Sequence, residues 1–92
     1  MNVIKVSGAS PVPQLSGCIV KSVRDSLEQK GKVELELRAV GASAVNQMVK
    51  AVASARGILA TKGLDILMCP GFDEIEEEGQ IKTIITAKIK VM

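Results

Sequence analysis

The chain predicts a two-layer α/β fold of order β-α-β-α-β-β. In it, two helices cover one face of a mixed four-stranded sheet. Three observations carry this. First, residues 34–57 read as a strand, a glycine turn and a helix. Val33, Leu35, Leu37 and Ala39 alternate with Lys32, Glu34, Glu36 and Arg38, the period-two pattern of a half-buried strand. Gly41 breaks the run, and Val45, Met48, Val49 and Val52 then fall at i, i+3, i+4 and i+7. Second, Leu15, Ile19, Val23 and Leu27 give an earlier segment a helical stripe. Third, the chain ends in a long alternating run that follows a turn-like Glu78-Gly79-Gln80.

Each element has its own signal. Asn2 to Ser7 alternates, with Ile4 and Val6 on one side and Val3 and Lys5 on the other. It reads as a strand. Gly8 to Pro13 is a loop whose prolines suit a first helical turn, where a missing N–H has no partner to lose. Gly31 ends the first helix in the manner of a left-handed cap. The second strand is expected over Lys32 to Ala39. The second helix is expected from about Ala42 to Arg56, with Gly57 closing its regular part. Leu64 to Cys69 reads as a strand that Pro70 and Gly71 end or distort. Ile81 to Val91 is the last strand, with Ile85, Ala87, Ile89 and Val91 on one face and Thr86, Lys88 and Lys90 on the other. Strands joined through helices suggest parallel crossovers, and the last two strands an antiparallel hairpin. The uncovered sheet face should carry Lys5, Lys32, Glu34, Glu36, Arg38, Lys88 and Lys90.

Residues 1–92 suit one domain with one modest core. The apolar share is 47%, yet Phe72 is the sole aromatic, so Val, Ile, Leu, Met and Ala must build that core. Modules that stack bases on aromatic platforms are thereby disfavoured. No apolar run reaches the roughly 20 residues of a membrane span, and the N-terminus does not resemble a signal peptide. A cytoplasmic protein without a membrane partner is expected. The chain has no histidine, and Cys18 and Cys69 stand far apart without CxxC partners. Both read as small buried hydrophobes, and no metal or cofactor is expected. None of the common nucleophile-elbow, phosphate-loop or dinucleotide motifs occurs, so a non-enzymatic protein is expected.

The net charge of +2 hides an asymmetry. Asp73, Glu74, Glu76, Glu77 and Glu78 hold five of the ten acids, and elsewhere twelve cations face five acids, a balance of +7. The acidic segment falls at the expected hairpin tip. Its spacing does not fit a calcium loop, and a solvated tip that discourages edge pairing is the simpler reading. The turn Ala39-Val40-Gly41-Ala42-Ser43 is the best candidate site. Glycine lets backbone approach a ligand, and the helix it opens presents unpaired N–H groups suited to an anion. Arg38 stands at the strand end, Ser43 in the first helical turn, and Asn46, Gln47 and Lys50 continue the surface. The alternative is an ordinary strand-to-helix joint.

The pattern RAVGASAVNQMVKAVASARG, with VIKVSGAS before it and LDILMCPGF after it, resembles the stage V sporulation protein S family of bacteria. That family is related in fold to Alba, the archaeal chromatin protein. The resemblance implies an Alba-like fold, a role in sporulation or developmental regulation, and nucleic-acid binding. For that binding it points to Arg38, Gly41, Ser43, Asn46, Gln47 and Lys50, helped by Lys5. It also implies a homodimer. Ala44, Ala51, Ala53 and Ala55 could then admit a partner backbone, or could simply pack the helix on its own sheet. The resemblance is incomplete. Alba's paired lysines after the first strand fall on Ser7-Gly8-Ala9-Ser10, and Alba's arm, thought to reach along the duplex, falls on the acidic tip. A competing expectation is therefore a protein-interaction module that docks a basic partner on the acidic hairpin.

Overall fold

The computed structural model describes residues 2–92. The elements are β1 (Asn2–Val6), α1 (Val12–Lys30), β2 (Leu35–Ala39), α2 (Ala42–Ala60), β3 (Ile66–Glu77) and β4 (Gln80–Val91), the order expected. The sheet order is β1-β2-β4-β3, with β1 parallel to β2 and β4 antiparallel to both β2 and β3. Each helix therefore runs back against the strand it follows. Both helix N-termini and the β3–β4 turn lie at one end of the molecule. The hairpin sets the long axis: twelve residues span about 40 Å at strand rise, against a longest extent of 44 Å.

The core lies between the helices and the sheet. Leu15, Ile19 and Val23 of α1 and Met48, Val52 and Leu59 of α2 meet Leu35, Leu37, Ala39, Ile66, Ala87 and Ile89. α1 begins at Pro11 and Pro13 and ends at Gly31, whose φ of 69° lets its N–H reach the Leu27 carbonyl. Ser16 Oγ meets Ser54 Oγ at 3.1 Å where the helices touch.

Several boundaries differ from expectation. β2 starts at Leu35, the residue in register with Asn2 of β1; before it, the Glu34 carbonyl still accepts from the Asn2 N–H at 3.1 Å. α2 runs through Gly57 to Ala60, since nothing at Gly57 supplies a left-handed cap and Leu59 still finds core. β3 passes straight through Pro70 to Glu77. It is an edge strand, and a proline whose missing N–H faces outward costs the ladder nothing.

Two readings of burial are corrected. Cys18 and Cys69 are both exposed, one on the outer side of α1 and one on the helix-free sheet face. The stripe of α2 is rotated from the valines toward the alanines. Ala44, Ala51 and Ala55 are fully buried in the chain's own core, while Val49 is 47% exposed and Val45 half-buried. Small side chains let the helix lie close, so three of the four alanines are spent inside the chain and only Ala53 remains exposed.

Candidate nucleic-acid interface

The seven candidate residues divide between two surfaces. Lys5 and Arg38 are register partners on the helix-free sheet face. Ser43, Asn46, Gln47 and Lys50 lie on the helix layer. Gly41 stands at the sheet end between them. A single ligand reaches both groups only by wrapping that end.

Gly41 holds φ 89° and ψ 161°, a conformation open to glycine, and turns the chain from β2 into α2. α2 opens with no capping side chain and no acid in its first turn. The N–H groups of Ala42, Ser43 and Ala44 therefore have no intrahelical partner. Ser43 packs against the β1–α1 loop: a Cβ on Gly8 would stand 2.8 Å from the Ser43 Cβ. Gln47 is already engaged, its Nε2 donating to the Ser10 carbonyl at 2.8 Å. It ties α2 to the loop and is not a free ligand donor. Asn46 and Lys50 are exposed, and neither makes a side-chain hydrogen bond or ion pair among the described residues.

Arg38 is not a free cation. Its Nη1 donates to Glu36 Oε2 at 3.2 Å and its Nη2 to Asp73 Oδ2 at 2.8 Å. The Asp73 hydrogen bond is the chief cause holding the guanidinium pKa above its ordinary value. Asp73 is held below the usual aspartate range, first by the Glu74 N–H on Oδ1 and then by Arg38. Sequence reading missed this clamp because its partners lie 35 positions apart. Lys88, another cation of this face, sits in register between Cys69 and Glu36. The outer face is thus a mosaic of both signs. The acidic tip borders a groove of about 640 Å³, lined by Lys5, Gly8, Arg38, Ile75, Ile84 and Glu76 among others.

No helix among the described residues is long and apolar enough to cross a membrane. No group of acids or cysteines there is arranged to hold a metal ion.

The fold is similar to that of a solved structure, Alba from Thermoplasma volcanium. The TM-score is 0.60 at 13% identity, over 98% of each chain. That likeness is one of fold: the same two helices on the same mixed sheet. A family model described as Stage V sporulation protein S (SpoVS) matches residues 2–92, all of the described chain. On that match, and on the fold beneath it, the chain belongs to the stage V sporulation protein S family.

Proposed function

We propose that this sporulation-family protein is a non-enzymatic regulator that binds nucleic acid weakly, through the end of the sheet where α2 begins. One observation carries the reading. The N-terminus of α2 is uncapped and free of acids, with Lys5 on the nearby sheet face and Lys50 two turns along the helix, both without ion-pair partners among the described residues. Backbone N–H groups at that end, with a free cation on each of the two surfaces that adjoin it, suit a phosphate backbone, which is bound chiefly by charge.

The test is a salt series against single-stranded DNA, duplex DNA and RNA. Two phosphate contacts give a log–log slope of about −1.8 for duplex DNA, and release of Arg38 to a third gives about −2.7. The Lys5→Ala/Lys50→Ala variant should bind with a slope near zero. Salt-insensitive binding by the unaltered protein, or full binding by the variant, would sink the electrostatic reading.

A second reading, docking of a protein partner at the acidic hairpin, is favoured by Glu74, Glu76 and Glu78. All three are exposed and without ion pairs among the described residues. A homodimer is compatible with either reading.

A further inference from the structure

The β3–β4 hairpin has one edge that is blunted and one that is not. Its loop is the two residues Glu78-Gly79, so Glu77 and Gln80 close the ladder as a hydrogen-bonded pair. Such pairs recur at every second residue. The N–H and C=O groups of Gln80, Lys82 and Ile84 therefore face β3, and those of Ile81 and Thr83 face the other way. β2 occupies that side only as far as Ala39, opposite Ile85. Neither Ile81 nor Thr83 has another backbone partner among the described residues.

The outer edge of β3 is treated differently. Its outward N–H groups belong to residues 66, 68, 70, 72, 74 and 76. Ile66 gives its N–H to Asp65 Oδ1, Pro70 has none, and Glu74 gives its N–H to Asp73 Oδ1. Local capping and a proline are devices that keep an edge from pairing. The Ile81–Thr83 edge has neither.

A groove flanks this open edge on each face. On the helix-free side it includes Val40, Ile75 and Ile84, and Ile84 is only 2% exposed. On the helix side a groove of about 560 Å³ is lined by Gly41, Val45, Val49, Thr83 and Ile85. Pockets on both sides of an unpaired edge are what an added strand needs, because its side chains alternate between the two faces. Glu74 and Glu76 stand on the helix side, in register with Thr83 and Ile81.

We propose that the β4 edge at Ile81–Thr83 accepts an added strand: an extended segment of a partner protein with alternating apolar and basic side chains. This extends the protein-partner reading and is independent of nucleic-acid binding. The apolar side chains face Val40 and Ile75. The basic ones lay their stems over Ile81 and Thr83 and bring their charges toward Glu74 and Glu76. A second copy fits the edge poorly, because pairing two arms lays one acidic tip beside another.

The experiment uses the full chain, labelled for amide-resolved NMR, and a capped hexapeptide of alternating valine and lysine. Saturating peptide should slow exchange of the Ile81 and Thr83 amides by about tenfold or more. Glu74→Gln/Glu76→Gln should weaken binding about fivefold or more, by loss of charge complementarity. Thr83→Pro should abolish it, since that N–H points away from β3, while Thr83→Val should retain it. The proposal is overturned if saturating peptide leaves both amides unprotected in the unaltered protein, a readout that needs no variant. It is overturned if folded Thr83→Pro binds normally, or if an alternating valine–glutamate peptide binds as well. Protection that rises with protein concentration and needs no peptide would replace it with self-pairing, and protection produced by DNA alone would replace it with nucleic acid.

Discussion

Glu78 is the one non-glycine residue among those described with a positive φ, at 53°. With Gly79 at 77° it forms the loop in which both central residues are left-handed. An L-residue with a full side chain is strained there, and asparagine is tolerated far better. Glu78→Asn should therefore stabilise the fold by about 0.5–1 kcal/mol, seen as a higher denaturant midpoint with unchanged slope. Arg38 teaches a different lesson at the same scale. Its place at the end of β2 was legible from alternation, and so was its exposure to the helix-free face. Its partner was not. Asp73 is brought beside it by the β4–β3 pairing, which no local pattern encodes, and a cation that reads as a ligand is in fact held within the chain.

At the scale of elements, α2 and β3 are joined by more than their connection. Arg56 donates from Nε to Asp65 Oδ1 at 2.8 Å and from Nη2 to Oδ2 at 3.1 Å, and Asp65 also accepts from the Ile66 N–H. The Arg56 hydrogen bond is the main cause that lowers the Asp65 pKa below its ordinary 3.8. A carboxylate with a depressed folded pKa adds stability that is full above its unfolded pKa and is lost as pH falls through the folded one. The unfolding midpoint should thus fall as pH drops below the ordinary aspartate range, from about pH 4 downward. Asp65→Asn should show a shallower fall over that window and a lower midpoint at neutral pH. The elements themselves were largely readable. Period two and period 3.6 are local, and Gly31 and Gly41 punctuate them. What misled was the packing of α2. Valines at helical spacing look like a core stripe, but alanines at 44, 51 and 55 take much of the buried face; Val52 stays in the core, while Val45 is half-buried and Val49 turns outward. Pro70 misled for the opposite reason: a strand breaker in a central strand is harmless on an edge, and edge position is a property of the sheet.

For the whole molecule, the alanine packing has a visible result. Val49, Phe72 and Ile81, respectively 47%, 80% and 72% exposed, are left on the helix side of the hairpin. Phe72 is the chain's sole aromatic and, among the described residues, its most exposed large apolar side chain. A chain this small has little apolar area to leave in water without a use. The candidate site was half legible at this scale. The glycine turn, Ser43, Asn46 and Lys50 lie together as the pattern implied. Gln47 is diverted to Ser10, and Arg38 to Asp73, by contacts that exist only once the loop and the arm are in place.

The shared direction of the two helices has a consequence beyond any site. The acidic hairpin tip lies at one end of the long axis, and Lys62 and Lys90 lie toward the other, with Lys30 and Lys32, which share the single carboxylate of Glu34. With a net charge of only +2, the molecule is better described by its electric dipole moment than by its net charge. Copies should attract one another head to tail in dilute buffer, and added salt should weaken that attraction over a Debye length of about 10 Å at 0.1 M. The osmotic second virial coefficient from light scattering should therefore rise as salt is added, the reverse of what self-repulsion by a uniformly charged protein produces. A protein of this shape is steered by fields along its axis, and the charge at each end decides which end arrives first.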